Sequence, residues 1–445
     1  MQPRTLRRGL LAVALAVVAA VTFSLRRPPA AAPITSPTAA PAGATTAEEL
    51  VYRRIVNGKE RGVVRAKAMV GQDNEGTRLQ GVDATFGHVY EGEEGKTRIV
   101  ARECLYDAEK QKASFRGDVV VTTSEGLELR SASLIYNGAR ELVRSEDVVE
   151  FSKAKVTGRT LGMEYQAEGG QLTLRQEVEV RIAHDDGPPT EIRSGSATAS
   201  RLEAMMRFKG GVVITRGDEV LKAQKLNVNL TSDLAFVYRA VAIDEMELAR
   251  GARVLRGRKL DAWFDETTHE IRDAVAGPDA SMTLAGGKGV EDRSLTARFI
   301  KLKFDGLGRL SEVAGVKDAV LVSRPGGKGQ RGAGRTVRSS ILVGRMDPVS
   351  GAILGLEFRG GVLIVEPKRK ATAQTGRYEE AGQVLSLATD ARVLDEAQAS
   401  DLQADAIELR GQSGDVSARE NVRHQVTSRS KGGPFGGDGP DRVWQ

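Results

Sequence analysis

The sequence predicts an all-β chain built from repeated antiparallel strands, and three observations carry that expectation. A heptapeptide occurs three times, as Phe115-Arg116-Gly117-Asp118-Val119-Val120-Val121, Phe208-Lys209-Gly210-Gly211-Val212-Val213-Ile214 and Phe358-Arg359-Gly360-Gly361-Val362-Leu363-Ile364. Its Phe, first Gly, Val and final Val or Ile fall on alternate residues. In an extended strand they share one face, apolar except where the glycine leaves a gap. Degenerate copies, marked by Val119, Val148, Val178, Val212, Val241, Ala280, Val320, Val362, Val393 and Val422, recur at roughly 29 to 42 residues, a repeat-array spacing. Hairpin signals lie between the markers. In Leu134-Ile135-Tyr136-Asn137-Gly138 an apolar strand meets an Asn-Gly pair suited to the positive φ of a tight turn, and similar patterns recur over 163–174, 226–237, 302–310 and 341–356.

The amino terminus reads as a membrane segment. Arg4, Arg7 and Arg8 precede an uncharged apolar run from Gly9 to Leu25, and Arg26-Arg27 follow it. Thr22-Phe23-Ser24-Leu25-Arg26 stands where a small-x-small cleavage site would be, so residues 1–27 are expected to be an uncleaved anchor rather than a signal segment. Basic residues on both flanks leave the orientation open on charge alone. A Pro/Ala-rich linker (28–48) comes next, then a first β block (49–183) ending at His184-Asp185-Asp186-Gly187-Pro188-Pro189. A second block (190–324) follows, then a Gly/basic loop without apolar periodicity (325–335), a third block (336–427) and a polar, Gly-rich tail (428–445). Whether Glu48 to Val64 opens as a helix or as an edge strand is undecided by its residues.

Composition narrows the function. Aromatic residues are 4% of the 445 and Gly accounts for 50, so few large side chains are available to fill a thick core. The single Cys104 lies at an apolar strand position and is expected to be a buried small hydrophobe. A net charge of +6 permits contact with anionic groups without demanding it. Catalytic signatures are missing from the sequence. The four histidines stand far apart, His269-Glu270 has Asp273 where a zinc motif needs its second histidine, and Gly95-Lys96-Thr97 has Tyr90 where a phosphate loop needs its first glycine. No cofactor, metal or enzymatic role is expected, and no nucleic-acid partner.

The pattern does offer apolar residues on one strand face over hundreds of residues. Phe115, Val119, Val121, Leu134, Tyr136, Phe208, Val212, Ile214, Phe304, Phe358, Val362 and Ile364, with Leu302, are the expected lining of an interior strip. A filled interior makes these a dry core; an open one holds alkyl chains. Burying a methylene contributes about 0.8 kcal/mol, so a twelve-carbon chain would contribute on the order of 10 kcal/mol. The alternatives are a structural or adhesive β-solenoid with a packed core and, further off, a β-helical carbohydrate-active enzyme.

The segment from about Ala101 to Val180 resembles lipopolysaccharide-export proteins of the LptC type. The likeness rests on Ala101-Arg102-Glu103-Cys104-Leu105-Tyr106-Asp107, on Phe115 to Val121, on Leu134-Ile135-Tyr136-Asn137, on Ser145-Glu146-Asp147-Val148 and on Gly158 to Tyr165. The later repeats are similar to the OstA-like modules shared with the bridge protein LptA. The resemblance implies an elongated antiparallel β-jellyroll, opened like a folded sheet, behind an amino-terminal transmembrane helix. It further implies a groove for lipopolysaccharide acyl chains, an inner-membrane location with the bulk in the periplasm, and docking to an inner-membrane ABC transporter. Head-to-tail edge-strand pairing with other OstA-like proteins is implied as well. The chain is more than twice the length of a plain LptC-type protein, so it is expected to carry a bridge segment of its own.

Overall fold

The computed structural model describes residues 47–426, apart from the short internal segments 57–58, 74–75, 91–92, 108, 125, 138–139, 141, 167–169, 185–186, 232–235, 269, 285–290, 325–333 and 412–414. The expected anchor, most of the linker, most of the Gly/basic loop and the tail lie outside the described residues. The rest is all β, as the alternation predicts, and it divides into two compact units, residues 1–242 and 243–445.

The first unit opens with β1 (Ala47–Val56), β2 (Lys59–Asp73), β3 (Gly76–Tyr90) and β4 (Glu93–Asp107), so the undecided stretch after the linker is strand. It continues with β5 (Lys112–Thr123), β6 (Glu128–Asn137), β7 (Leu142–Lys153), β8 (Val156–Gln166) and β9 (Gln171–Ile182). It ends with β10 (Thr190–Ser194), β11 (Ser196–Ser200), β12 (Met205–Arg216) and β13 (Glu219–Leu230). Each strand pairs antiparallel with the next, and β10 with β11 acts as one strand interrupted at Gly195, laid between β9 and β12. The Asp/Pro-rich break after Ala183 therefore closes a hairpin within the ladder.

β14 (Val237–Arg250) contains the unit boundary. The second unit continues with β15 (Arg253–Phe264), β16 (Ile271–Gly277), β17 (Ala280–Leu284), β18 (Asp292–Ala297), β19 (Phe299–Phe304) and β20 (Leu310–Arg324). Then come β21 (Arg335–Met346), β22 (Ile353–Glu366), β23 (Arg369–Glu379), β24 (Val384–Asp395), β25 (Ser400–Arg410), β26 (Val416–Arg419) and β27 (Arg423–Val426). The pairs β16/β17, β18/β19 and β26/β27 each behave as one strand broken at its middle.

The break at mid-strand is the organising feature. The heptapeptides are not straight strands. Gly117-Asp118, Gly210-Gly211 and Gly360-Gly361 are consecutive left-handed residues, with φ of 77° and 48°, 84° and 78°, and 80° and 73°. Each pair turns its strand through a corner, and the ladder register slips there, between Arg116 and Val119, Lys209 and Val212, and Arg359 and Val362. Phe before the corner and Val after it both stay buried, while the corner residues themselves stay at the surface. Other corners manage without glycine: Asp244-Glu245, Lys317-Asp318, Thr389-Asp390 and Glu420-Asn421 all have positive φ. At Val119, Val178, Val212, Ala280, Val362 and Val422 the repeat marker is the residue that follows a left-handed one. A corner takes nearby carbonyls out of the ladder, and buried hydroxyls on the same or a neighbouring strand satisfy some of them. Thr160 donates to the Gln176 carbonyl at 2.9 Å, Ser194 to Ser196 at 3.1 Å and Ser339 to Ile341 at 2.9 Å.

The hairpin ends use a second repeated device. Asp265 accepts the amides of Thr267 and Thr268, both at 2.9 Å, and Asp347 those of Val349 at 3.1 Å and Ser350 at 2.6 Å. Asp305 and Asp395 close their turns in the same way. At the first predicted hairpin the Asn137 side chain accepts the Arg140 amide at 3.1 Å, while Gly138 lies outside the described residues.

These carboxylates couple the fold to pH. The Thr268 amide, then that of Thr267, holds Asp265 below its usual 3.8, and the Ser350 amide and hydroxyl do the same for Asp347. A depressed folded-state pKa contributes stability that is complete above the unfolded value and is lost as pH falls through the folded one. The urea midpoint is therefore expected to drop as the pH falls below the usual carboxylate range. A variant carrying Asp265→Asn and Asp347→Asn keeps the acceptor oxygens without the titration, and its acid dependence should be flatter. An unchanged acid profile in that variant would count against the turns as its source.

Candidate functional site

In each unit the corners divide the sheet into two halves whose inner faces are apolar. In the first unit the row Ala84, Ile99, Val121, Leu129, Phe151, Gly158, Val180, Ile192, Ile214, Leu221 runs through direct cross-strand neighbours over ten strands. Its side chains are buried. Gly158 is the one member without a side chain, and the ring of Phe151 occupies its place, 2.1 Å from where a Cβ would sit. Beyond the corner, Leu79, Cys104, Phe115 and Leu134 form one run of neighbours and Met163, Leu174, Ala197, Phe208 and Leu226 another.

The second unit repeats the arrangement. One half carries Leu255, Met282, Leu295, Leu321, Val337, Ile364, Ala371 and Val393 in register. The other carries Leu260, Ala276, Ile300, Gly315, Leu342, Phe358, Gly376, Leu387 and Ile407. Among the described residues, what covers one half is the inner face of the other.

Of the twelve expected lining residues, ten are buried: Phe115, Val119, Val121, Leu134, Phe208, Val212, Ile214, Phe358, Val362 and Ile364. Tyr136 and Phe304 are only half-buried, because they stand at strand ends beside hairpin turns. The heptapeptides did not single out Phe151, Ile192, Met206, Ile300 or Leu342, all buried on the same faces. Strict alternation within β7, β10, β12, β19 and β21 is the signal that marks them.

In the first unit the interior around Val119 is packed as it stands. Val119, Val121, Leu129, Leu134, Val149 and Met163 approach so closely that no water fits between them. Cys104 belongs to this interior, and burial pushes its thiol up to about 12, so it is a hydrophobe and not a nucleophile at neutral pH. Outside, the chemistry inverts. Arg130, Glu150, Arg159, Glu179 and Arg193 are successive cross-strand neighbours, and the groove of about 480 Å³ beside them is lined largely by charged and hydroxyl groups. Among the described residues no group of His, Cys, Asp or Glu is placed to hold a metal ion, and no helix is long and apolar enough to cross a membrane.

In each unit, then, the described residues form an antiparallel sheet folded along a line of corners, charged outside and apolar inside. Residues 11–183 match the family described as Lipopolysaccharide-assembly, LptC-related, a span of less than half the chain. Over that segment the chain is similar to the LptC-related lipopolysaccharide-assembly family. No curated protein matches the chain.

Proposed function

We propose that the chain carries lipopolysaccharide by sheltering its acyl chains between the two inner faces of the folded sheet, and that it bridges part of the way from the inner-membrane exporter to the outer membrane. The observation that carries this reading is the uninterrupted apolar row across ten strands of the first unit, bounded outside by charge. Because the interior around Val119 is packed, cargo must part the halves, and each methylene admitted returns about 0.8 kcal/mol toward that separation. The chain has no phosphate-loop motif, so direction comes from an ATP-driven partner. Residues 1–27 anchor it in the inner membrane. Neighbouring OstA-like proteins add to it through edge strands, a role suited to β26 and β27, where Val416 and Val426, and Val422 between the two strands, are 47%, 51% and 40% exposed.

A second reading, a structural solenoid with a permanently packed interior, is favoured by the dry contact around Val119. Photo-crosslinking in cells separates the two. A photoreactive residue at Phe115, Val212 or Phe358 faces the interior, and one at Arg116, Val213 or Arg359 faces away. The transport reading requires lipopolysaccharide adducts at the first set alone; adducts at neither set leave the solenoid.

A further inference from the structure

The halves of a sheet folded along its corners have free ends opposite the fold, where hairpin turns from the two sides meet along a seam. In the second unit this seam is spanned by arginines that all come from one side. Arg253, at the start of β15, donates to the Gly351 carbonyl in the turn between β21 and β22 at 3.4 Å. Arg293, in β18, reaches Glu380 just past β23, at 3.2 and 3.3 Å to its two carboxylate oxygens. Arg335, opening β21, lies 5.8 Å from the centre of the Tyr378 ring in β23. Beside Arg335 and Tyr378, Ile364 and Ala371 from one side and Leu385 and Leu409 from the other line a small cavity that Glu366, Arg369, Arg410 and Asp415 also border.

We propose that this seam is a lateral gate for a lipid with a phosphate-bearing headgroup, Arg253, Arg293 and Arg335 exchanging their partners across the seam for phosphate oxygens as the acyl chains pass inward. The inference rests on the transport reading above and adds to it a place of admission and a chemical selector. The halves are tied together by sheet hydrogen bonds at the corners, so they can part only at the seam. There the ties named join guanidinium groups to a carbonyl, to both oxygens of a carboxylate and to a ring, and Arg335 is paired on its own side with Glu366 at 2.6 Å. A guanidinium takes a phosphate bidentately, as it does a carboxylate but not a carbonyl or a ring, so a phosphate that displaces these partners also releases the latch. The apolar side chains of the cavity beside Arg335 are where the tails of a molecule held by its phosphate would lie.

The test uses the full chain with Ile364→Cys, whose thiol lies in the cavity beside Arg335, and follows its reaction with a maleimide. Buried Cys104 of the first unit is the internal reference. Adding Glu380→Ala should raise the labelling at position 364 about tenfold, as expected when a local opening becomes easier, and leave Cys104 unchanged. A fluorescent phosphatidic acid should accelerate labelling in the Ile364→Cys chain and its Glu380→Ala variant, but not once Arg293→Ala and Arg335→Ala are added. The matching phosphate-free diacylglycerol should not accelerate it.

Equal labelling with and without Glu380→Ala would overturn the latch. Equal effects of the two lipids would overturn the selector, and equal acceleration by inorganic phosphate alone would replace the lipid gate with simple anion binding. Failure is separable from failure of the transport reading. If Glu380→Ala opens the seam yet no fluorescent lipid is retained by any form of the chain, the opening stands and lipid carriage falls, and with it the gate's purpose.

Discussion

Phe208→Ala is expected to lower the stability of the first unit by about 3–5 kcal/mol, the loss typical of a large side chain removed from a packed interior. Phe208 is 1% exposed and lies between Ala197 on one neighbouring strand and Leu226 on the other. Both neighbours are anchored in their own ladders, so they cannot collapse into the space. Tyr238, 39% exposed, supplies the comparison, and its replacement by Ala should stay within about 0.5 kcal/mol. Urea unfolding followed by circular dichroism measures both, with the slope unchanged if only stability is altered. A loss below about 1 kcal/mol at Phe208 would mean that the interior yields easily, the behaviour of a vacant groove and not of a packed one.

The second large effect is expected at the corners and separates two adjacent glycines. Gly210 has φ of 84°, and an added Cβ would lie 3.1 Å from the backbone of Gly195. Gly210→Ala should cost about 1–3 kcal/mol, since strain in the left-handed region adds to contact with backbone that cannot rotate away. Gly211 has φ of 78° but open space where its Cβ would be. The first heptapeptide places Asp118 at that position, with φ of 48°, so Gly211→Asp and Gly361→Asp should cost less than Gly210→Ala, carrying the strain of the left-handed region without the backbone contact. Thermal melting of the four proteins, wild type included, checks the ordering. Equal losses at Gly210 and Gly211 would show that φ alone, and not the approach of Gly195, sets the cost.

That comparison also explains what could be read from the sequence. Phe115, Phe208, Phe358 and the valines after them were legible as interior residues because burial imposes a strict alternation. The corner was not legible. Phe and Val four residues apart share a face in a straight strand as well as across a two-residue left-handed turn, so the pattern fits both. Glycine hints at the turn in three places, but Lys317-Asp318 and Thr389-Asp390 adopt it with ordinary side chains, held there by the ladders on either side. Tyr136 and Phe304 were placed inside by alternation and are half-buried, since they stand at the ends of their strands, next to the hairpin turns. The seam was wholly out of reach, because Arg293 and Glu380 stand 87 residues apart and only the folding of the sheet brings them together.

The line of corners also makes each unit a ruler. Every strand crosses that line once and returns on the next, so a strand can be added or removed only together with its partner. One such pair lengthens or shortens a unit by two strand spacings, about 9–10 Å. Its cross-section stays as it was, because Phe and Val flank the turn in the same way wherever the pair is inserted. Reach is therefore set in steps of one hairpin, and a chain built this way can be fitted to a wider or narrower gap by duplicating about 30 to 40 residues at a time, with no new packing to invent.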